Sequence, residues 1–220
     1  MSSGLHKYDI DPADLDPNGI AESQTVTADD LALDGALCDL GTALQFDIGD
    51  AYSADITGVR LLFDAAGDIN TAVFTITGLD ENGNSVTEAV TGVTTTAVST
   101  VNYYSQVTVI AVTVATATAV FVGTVTGELV TKVVPINHLS RIAAAYGISD
   151  KTGTFVVDLQ LTMDDFRLGL GTLNWIDWVA NISGDTAGVL NLHTTGARLK
   201  FVSYSNGAEL QFHVSDNPYR

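Results

Sequence analysis

The chain has 220 residues, of which 46% are hydrophobic and 16% charged, a composition typical of a folded protein. Its formal net charge of −17 argues against nucleic acid as a partner, because nucleic-acid binding requires a basic surface. The single cysteine, Cys38, excludes an intramolecular disulfide, and no Cys/His spacing indicates zinc. We therefore expect no metal or other cofactor, with Cys38 as a small core residue.

Residues 1–24 predict an extended acidic N-terminal arm. They contain Pro12, Pro17 and Gly19 among acidic residues, and they show little apolar periodicity. No basic segment followed by an apolar one occurs there, so no signal peptide is expected. The acidity of the chain is concentrated before residue 90, which favours either a solvated surface or docking to a basic partner.

Residues 25–135 predict a first β-sandwich domain, because Thr-, Val- and Ala-rich runs alternate with Gly, Asn and Asp. Residues 106–127 are the most apolar part and carry no charge. A membrane span would need about 20 apolar residues, but frequent threonines and the absence of basic flanks argue against one. Two adjacent buried strands near Val107–Ala115 and Ala119–Thr126 explain this run better.

The stretch GLDENGNS, residues 78–85, separates two alternating runs and predicts a hairpin turn at Asn82 and Gly83. As an EF-hand loop starting at Asp80, it would place serine where glycine is required and threonine where glutamate is required. Calcium binding is therefore not expected.

Residues 136–220 predict a second β-sandwich-like domain. Thr154–Met163 alternates as a half-buried strand whose polar face would be exposed. An extended run, Leu173–Ile182, would carry Trp175 and Trp178 on opposite faces. The alternating segments 199–204 and 210–214 flank Asn206-Gly207, which predicts a closing hairpin.

The sequence contains no recognisable catalytic motif, neither HExxH, GxSxG nor SxxK. A carboxylate pair drawn from Asp164, Asp165 and Asp177, with Trp175 and Trp178 as sugar platforms, would suit a glycoside hydrolase. The simpler interpretation places the tryptophans in a core and the aspartates at the start of a loop. The predicted fold class is therefore all-β: two Ig-like or jelly-roll-like sandwiches behind an acidic arm, without enzymatic activity.

Several segments together carry a resemblance to known proteins: residues 18–21 and 33–37, Phe74–Glu88 (FTITGLDENGNSVTE), the threonines at 94–96, Tyr103-Tyr104 and Val107–Val114. This series resembles a family of tailed-bacteriophage virion proteins. It extends loosely over the second domain, and the lysine that such proteins often have near the aromatic pair is absent. The resemblance implies a structural role on the virion and transfers no catalytic residue.

We therefore expect a virion structural protein, made in the host cytoplasm, that acts as a capsid decoration (cement) protein or as a neck or tail component. Its expected partners are other virion proteins and further copies of itself, with neither nucleic acid nor membrane involved. The alternative is a carbohydrate- or receptor-binding module that uses Trp175, Trp178 and Tyr204 as stacking surfaces.

Overall fold

A computed structural model describes residues 5–39, 45–94, 96–124, 128–136, 144–164, 173–190 and 194–215. The chain divides into two compact units: unit 1 comprises Met1–Ala13 and Val130–Arg220, and unit 2 comprises Asp14–Leu129. The fold is all-β, as predicted. The elements in chain order are β1 (Leu5–Ile10), β2 (Ala21–Gln24), β3 (Cys38–Asp39), β4 (Gln45–Asp47), α1 (Ile48–Ala51), β5 (Ile56–Val59), β6 (Leu62–Ala65), β7 (Val73–Asp80), β8 (Ser85–Thr91), β9 (Val98–Ser99), β10 (Tyr104–Val112), β11 (Val120–Gly123), β12 (Leu129–Thr131), β13 (Val134–Pro135), β14 (Ala144–Thr152), β15 (Phe155–Thr162), β16 (Ile176–Ile182), β17 (Thr186–Leu190), β18 (Gly196–Tyr204) and β19 (Glu209–Ser215).

Unit 2 is a sandwich-like arrangement of two antiparallel sheets. In one, β8, β7 and β10 lie side by side, and β4 and β5 pair with the other edge of β10. In the other, the order is β2-β11-β6-β9. The rings of Phe63 on β6 and Phe74 on β7 meet between the sheets with centroids 5.1 Å apart, and both are fully buried. Burial of such aromatic side chains is the main favourable term in holding two sheets together.

The long uncharged run lies in unit 2 and forms β10 and β11, as expected from its β-branched residues. The two strands belong to different sheets, and Val107 and Ile110 on β10 and Val120 and Val122 on β11 are fully buried. Across the described residues, no helix has the length and apolar character needed to cross a membrane.

In unit 1, the chain passes repeatedly from one sheet to the other, and we call these connections inter-sheet arches. One sheet has the order β1-β19-β14-β17, and the other contains β16, β15 and β18, with β12 and β13 along the far edge of β18. Consecutive strands β14 and β15, β16 and β17, and β18 and β19 therefore lie in different sheets. Each of these connections carries the chain across the sandwich instead of reversing it within one sheet.

The predicted hairpin at Asn206-Gly207 is wrong in its pairing. The residues do form a turn, with Gly207 at a φ of +71° and the Ala208 N–H donating to the Ser205 carbonyl at 3.1 Å. However, β18 pairs with β15 and β19 pairs with β14 and β1. The neighbouring β14–β15 arch stabilises this route, because Ser205 and Thr154 exchange backbone and hydroxyl hydrogen bonds of 2.9 and 3.0 Å.

The prediction of a half-buried β15 with an exposed polar face is also wrong. Asp158, Gln160 and Thr162 are 6%, 7% and 0% exposed, so the polar face is buried as well as the apolar one. Asp158 and Gln160 are hydrogen-bonded to residues of the neighbouring strand β16, and the Thr162 hydroxyl accepts from the Asp164 N–H just after β15. Burial of a polar face is tolerated when its groups are satisfied in this way.

The N-terminal segment differs from the predicted arm over 1–24. Leu5–Ile10 forms β1, which pairs in register with β19 from Leu5↔Ser215 to Ile10↔Leu210, and Ile10 is 1% exposed. Ala21–Gln24 forms β2 in unit 2. The boundary between the units falls after Leu129, whereas composition predicted a division of 25–135 from 136–220.

Candidate functional site

Strand β16 is an edge strand of unit 1 with two β-bulges. Its register with β15 runs from Gln160↔Asp177 to Leu159↔Val179, which leaves Trp178 without an opposite residue. The second irregularity lies near Asn181, which has a φ of +57°. Bulges bend an edge strand and redirect its side chains, and they are common at functional positions.

The second bulge is held by a buried carboxylate. Asp158 on β15 accepts a 2.9 Å hydrogen bond from the Asn181 backbone N–H, and Lys200 lies 3.5 Å from the other carboxylate oxygen. Asparagine is among the residues that best tolerate the left-handed conformation. Specific hydrogen-bonding and ionic partners therefore stabilise this bulge.

Exposed apolar side chains occur on or next to the two edge strands at this end of the sheets. We call the side of unit 1 formed by β16, residues 183–185 and β17 the open side, because both sheets end there. Trp178 is 38% exposed, and the other large apolar side chains on or next to these strands are exposed by about half: Met163, Ile176 and Val189. They make up half of the large apolar side chains that are exposed in the described part of the chain.

Trp175 packs against a buried arginine side chain. The guanidinium of Arg198 lies 4.0 Å from the centroid of its ring, and Arg198 is only 5% exposed. Arg198 Nε donates to Gln160 Oε1 at 2.8 Å, and Gln160 Nε2 donates to Asp177 Oδ1 at 2.8 Å. A desolvated cation–π contact of this kind contributes about 2 kcal/mol. Trp175 therefore covers a buried cation on the face of the sheet.

Tyr204 does not suit a contact role. It is 6% exposed, its hydroxyl donates to the Ala13 carbonyl at 2.9 Å, and its ring meets Phe201 edge-on at 5.9 Å. The proposed role of Tyr204 as a stacking surface is therefore not supported, because its ring is buried and its hydroxyl is paired. Of the three aromatic residues proposed from sequence, Trp178 alone offers a substantial exposed ring.

The candidate carboxylates serve different local structures. Asp164 accepts hydrogen bonds from the backbone N–H and the side-chain amide of Asn174, at 2.6 and 3.0 Å. Asp177 accepts from Gln160. Asp165 lies outside the described residues. Among the residues that the structure describes, no group of three or more His, Cys, Asp and Glu side chains is arranged to hold a metal ion.

The turn between β7 and β8 is organised by one carboxylate. Asp80 Oδ1 accepts the backbone N–H groups of Asn82 and Asn84, both at 2.8 Å, and the Gly83 N–H donates to the Asp80 carbonyl at 3.0 Å. Gly83 has a φ of +79°, a conformation that glycine adopts without steric cost. The predicted hairpin turn at Asn82 and Gly83 is confirmed.

Sequence reasoning missed Glu88. Its carboxylate accepts from the Val101 N–H at 2.6 Å, from the backbone and side-chain N–H groups of Asn102 at 3.0 and 2.9 Å, and from the Tyr104 hydroxyl at 3.3 Å. Burial, together with Glu88, raises the pKa of Tyr104. A signal existed, because Glu88 shares the inward face of β8 with Val86 and Val90 and interrupts an apolar face.

Comparisons with known proteins give little information about this chain. No family model matches the sequence, and no curated protein matches it. A solved structure, the N-terminal CBM22-1–CBM22-2 tandem domain of Xyn10C from Paenibacillus barcinonensis, aligns over 98% of this chain and 93% of that chain. The sequence identity is 9% and the TM-score is 0.21, so this alignment supports no inference about function.

Proposed function

We propose that this chain is a non-enzymatic structural component of a tailed-phage virion that acts by assembly, as a capsid decoration (cement) protein or as a neck or tail component. The observation that carries the proposal is the open side of unit 1, where four exposed large apolar side chains lie on or next to the edge strands of the two sheets: Met163, Ile176, Trp178 and Val189. A concentration of exposed apolar side chains is typical of a site of protein association.

The hydrogen bonds of the acidic side chains support the non-enzymatic part of the proposal. Asp80, Glu88, Asp158 and Asp164 each accept hydrogen bonds that fix a turn, a loop or a bulge. A carboxylate whose acceptor sites are occupied in this way serves local structure. The resemblance to virion proteins falls on the β7–β8 hairpin and on β10, which form adjacent strands of one sheet in unit 2.

The test uses particles that lack the protein. A cement protein binds such preformed heads and raises their resistance to heat or low salt, whereas a neck or tail component is required for tail joining and is present in few copies. Quantitative gels of purified virions give the copy number and separate the two roles. A protein that binds neither heads nor tails would overturn the proposal.

A second candidate function is carbohydrate or receptor binding, favoured by Trp178 at its bulge. A tryptophan ring exposed on one face stacks against the apolar face of a sugar. Iodide should quench part of the tryptophan fluorescence, and Trp178→Ala should remove that part while Trp175→Phe leaves it. Binding to a glycan panel that is lost in Trp178→Ala would establish this function. Full protection of both rings from iodide would exclude it.

A further inference from the structure

The edge strands of the two units are protected from unwanted pairing, with one exception. Exposed sheet edges pair with other chains unless charge, proline, bulges or shortness prevent it. Each of these devices is present here among the described edge strands: exposed charge on β1 and β2, an inward-pointing Glu88 on β8, Pro135 on β13, two bulges on β16, and lengths of two residues for β3 and β9.

Strand β17 has none of these devices. Its sequence, Thr186-Ala187-Gly188-Val189-Leu190, contains no charge and no proline. It pairs with β14 over five residues without a register shift, and no other described strand pairs with it. The ring of Tyr146 on β14 occupies the space that a side chain at Gly188 would need, so glycine fits at the centre of this strand. A regular, uncharged edge of this kind is a template for a further strand.

We propose that β17 pairs with β17 of a second copy of the chain, antiparallel about a two-fold axis at Gly188. This inference rests on the proposed assembly function and names its partner and surface. In this register Ala187 lies opposite Val189 of the second copy, and both side chains are on the exposed face of the sheet. The pairing is self-complementary, as a two-fold interface requires.

The distribution of charge favours this face for contact between two acidic chains. The residues of unit 1 include ten acidic and eight basic side chains, a balance of −2, whereas those of unit 2 include sixteen acidic side chains and one basic, a balance of −15. Two copies that meet through unit 1 therefore bring together their nearly neutral parts, and repulsion between them is smallest there.

The nearest acidic side chain to β17 does not oppose this register. Asp185 precedes the strand and accepts the Asp150 N–H at 2.7 Å. The two copies of Asp185 would lie on opposite sides of the two-fold axis, about six residues or roughly 20 Å apart along the strands. This separation is about two and a half times the Debye length of roughly 8 Å at physiological salt, so their repulsion is screened.

Two charge variants test the register directly. Ala187→Lys/Val189→Lys places like charges opposite each other twice in the dimer, and it should weaken self-association at least about tenfold. Ala187→Lys/Val189→Glu places opposite charges at the same positions and should restore association to near the wild-type level. Leu5→Lys on β1, the charged strand at the opposite edge of the same sheet, is the matched control and should leave association unchanged. Sedimentation equilibrium at physiological salt measures the dissociation constants, and circular dichroism melts confirm that each variant is folded.

Each outcome decides the proposal. It stands if the wild-type chain dimerises, the double-lysine variant dissociates and the lysine–glutamate variant recovers. It is overturned if the wild-type chain stays monomeric, if the double-lysine variant associates normally, or if the lysine–glutamate variant fails to recover. A monomer that still binds virion heads would overturn this inference and leave the assembly function intact. A β17-dependent dimer that binds no virion component would support this inference and overturn the proposed virion function.

Discussion

Removing the carboxylate of Glu88 should loosen the loop before β10. Glu88→Gln keeps the size of the side chain but replaces one acceptor oxygen with an NH2 group that faces a donor. Oε1 accepts one exposed N–H, from Val101, whereas Oε2 accepts three donors from Asn102 and Tyr104. The amide should therefore rotate so that its NH2 group takes the Oε1 position, where water can replace the lost partner.

The magnitude follows from the donors that remain paired. A hydrogen bond to a charged acceptor contributes about 1.5–3 kcal/mol, and a donor left in contact with solvent recovers part of that. We expect Glu88→Gln to lower the free energy of unfolding by about 1–3 kcal/mol. Glu88→Ala leaves all four donors without their acceptor, and its cost should be larger, about 2–4 kcal/mol.

Urea unfolding followed by circular dichroism measures both variants. The matched control is Thr87→Val, a β-branched replacement at the adjacent exposed position of β8, which should stay within about 0.5 kcal/mol of wild type. If Glu88→Gln unfolds at the same urea concentration as Thr87→Val, the carboxylate does not hold the loop and the reasoning is refuted.

Three further changes have defined expectations. Tyr204→Phe removes the hydroxyl that donates to Ala13 while keeping the packed ring, so it should lower the free energy of unfolding by about 1 kcal/mol; equality with wild type in thermal melts would show that this bond contributes nothing. Gly78→Ala places Cβ 2.0 Å from a backbone oxygen of β10, whereas Gly83→Ala has open space around Cβ but a positive φ. Gly78→Ala should therefore lower the free energy of unfolding by well over the ~1 kcal/mol expected of Gly83→Ala. The reverse order in urea unfolding would contradict this. Burial raises the pKa of the Cys38 thiol to about 11 from 9.0. The contribution of this thiol to the free energy of unfolding should therefore be fully present below pH 9 and be lost as the pH rises towards 11. If native protein at pH 8 is alkylated at Cys38 as fast as protein unfolded in urea, the thiol is not buried.

Local features of this chain could be read from the sequence because local chemistry decides them. Asp80 and Gly83 specify the β7–β8 turn by a side-chain acceptor and a left-handed backbone, both within five residues. The same argument failed at Asn206-Gly207. A positive φ at Gly207 suits an inter-sheet arch as well as a hairpin, and the choice depends on distant strands that already occupy the neighbouring positions.

The candidate site was predicted in part for the same reason. Alternation along the run containing Trp175 and Trp178 predicts opposite faces but does not show where a bulge interrupts the register. Arg198 alternates outward from Ala197 and Leu199, as an exposed residue would, and its burial depends on the cover that Trp175 provides. Contacts made between strands leave no periodic trace in a single strand.

The pairing of β1 with β19 has a consequence for the order of events during synthesis. Ile10 and Leu210 are opposite each other, 200 residues apart in the chain. At about 5–20 residues per second, the ribosome completes the partner strand roughly 10–40 s after it has made β1. During this interval Leu5–Ile10 has no native neighbour, while unit 2, which lies wholly between the two strands in the sequence, can already fold. Strand β1 is therefore translated well before its partner but placed only after it, and unit 1 closes only after translation has passed residue 215.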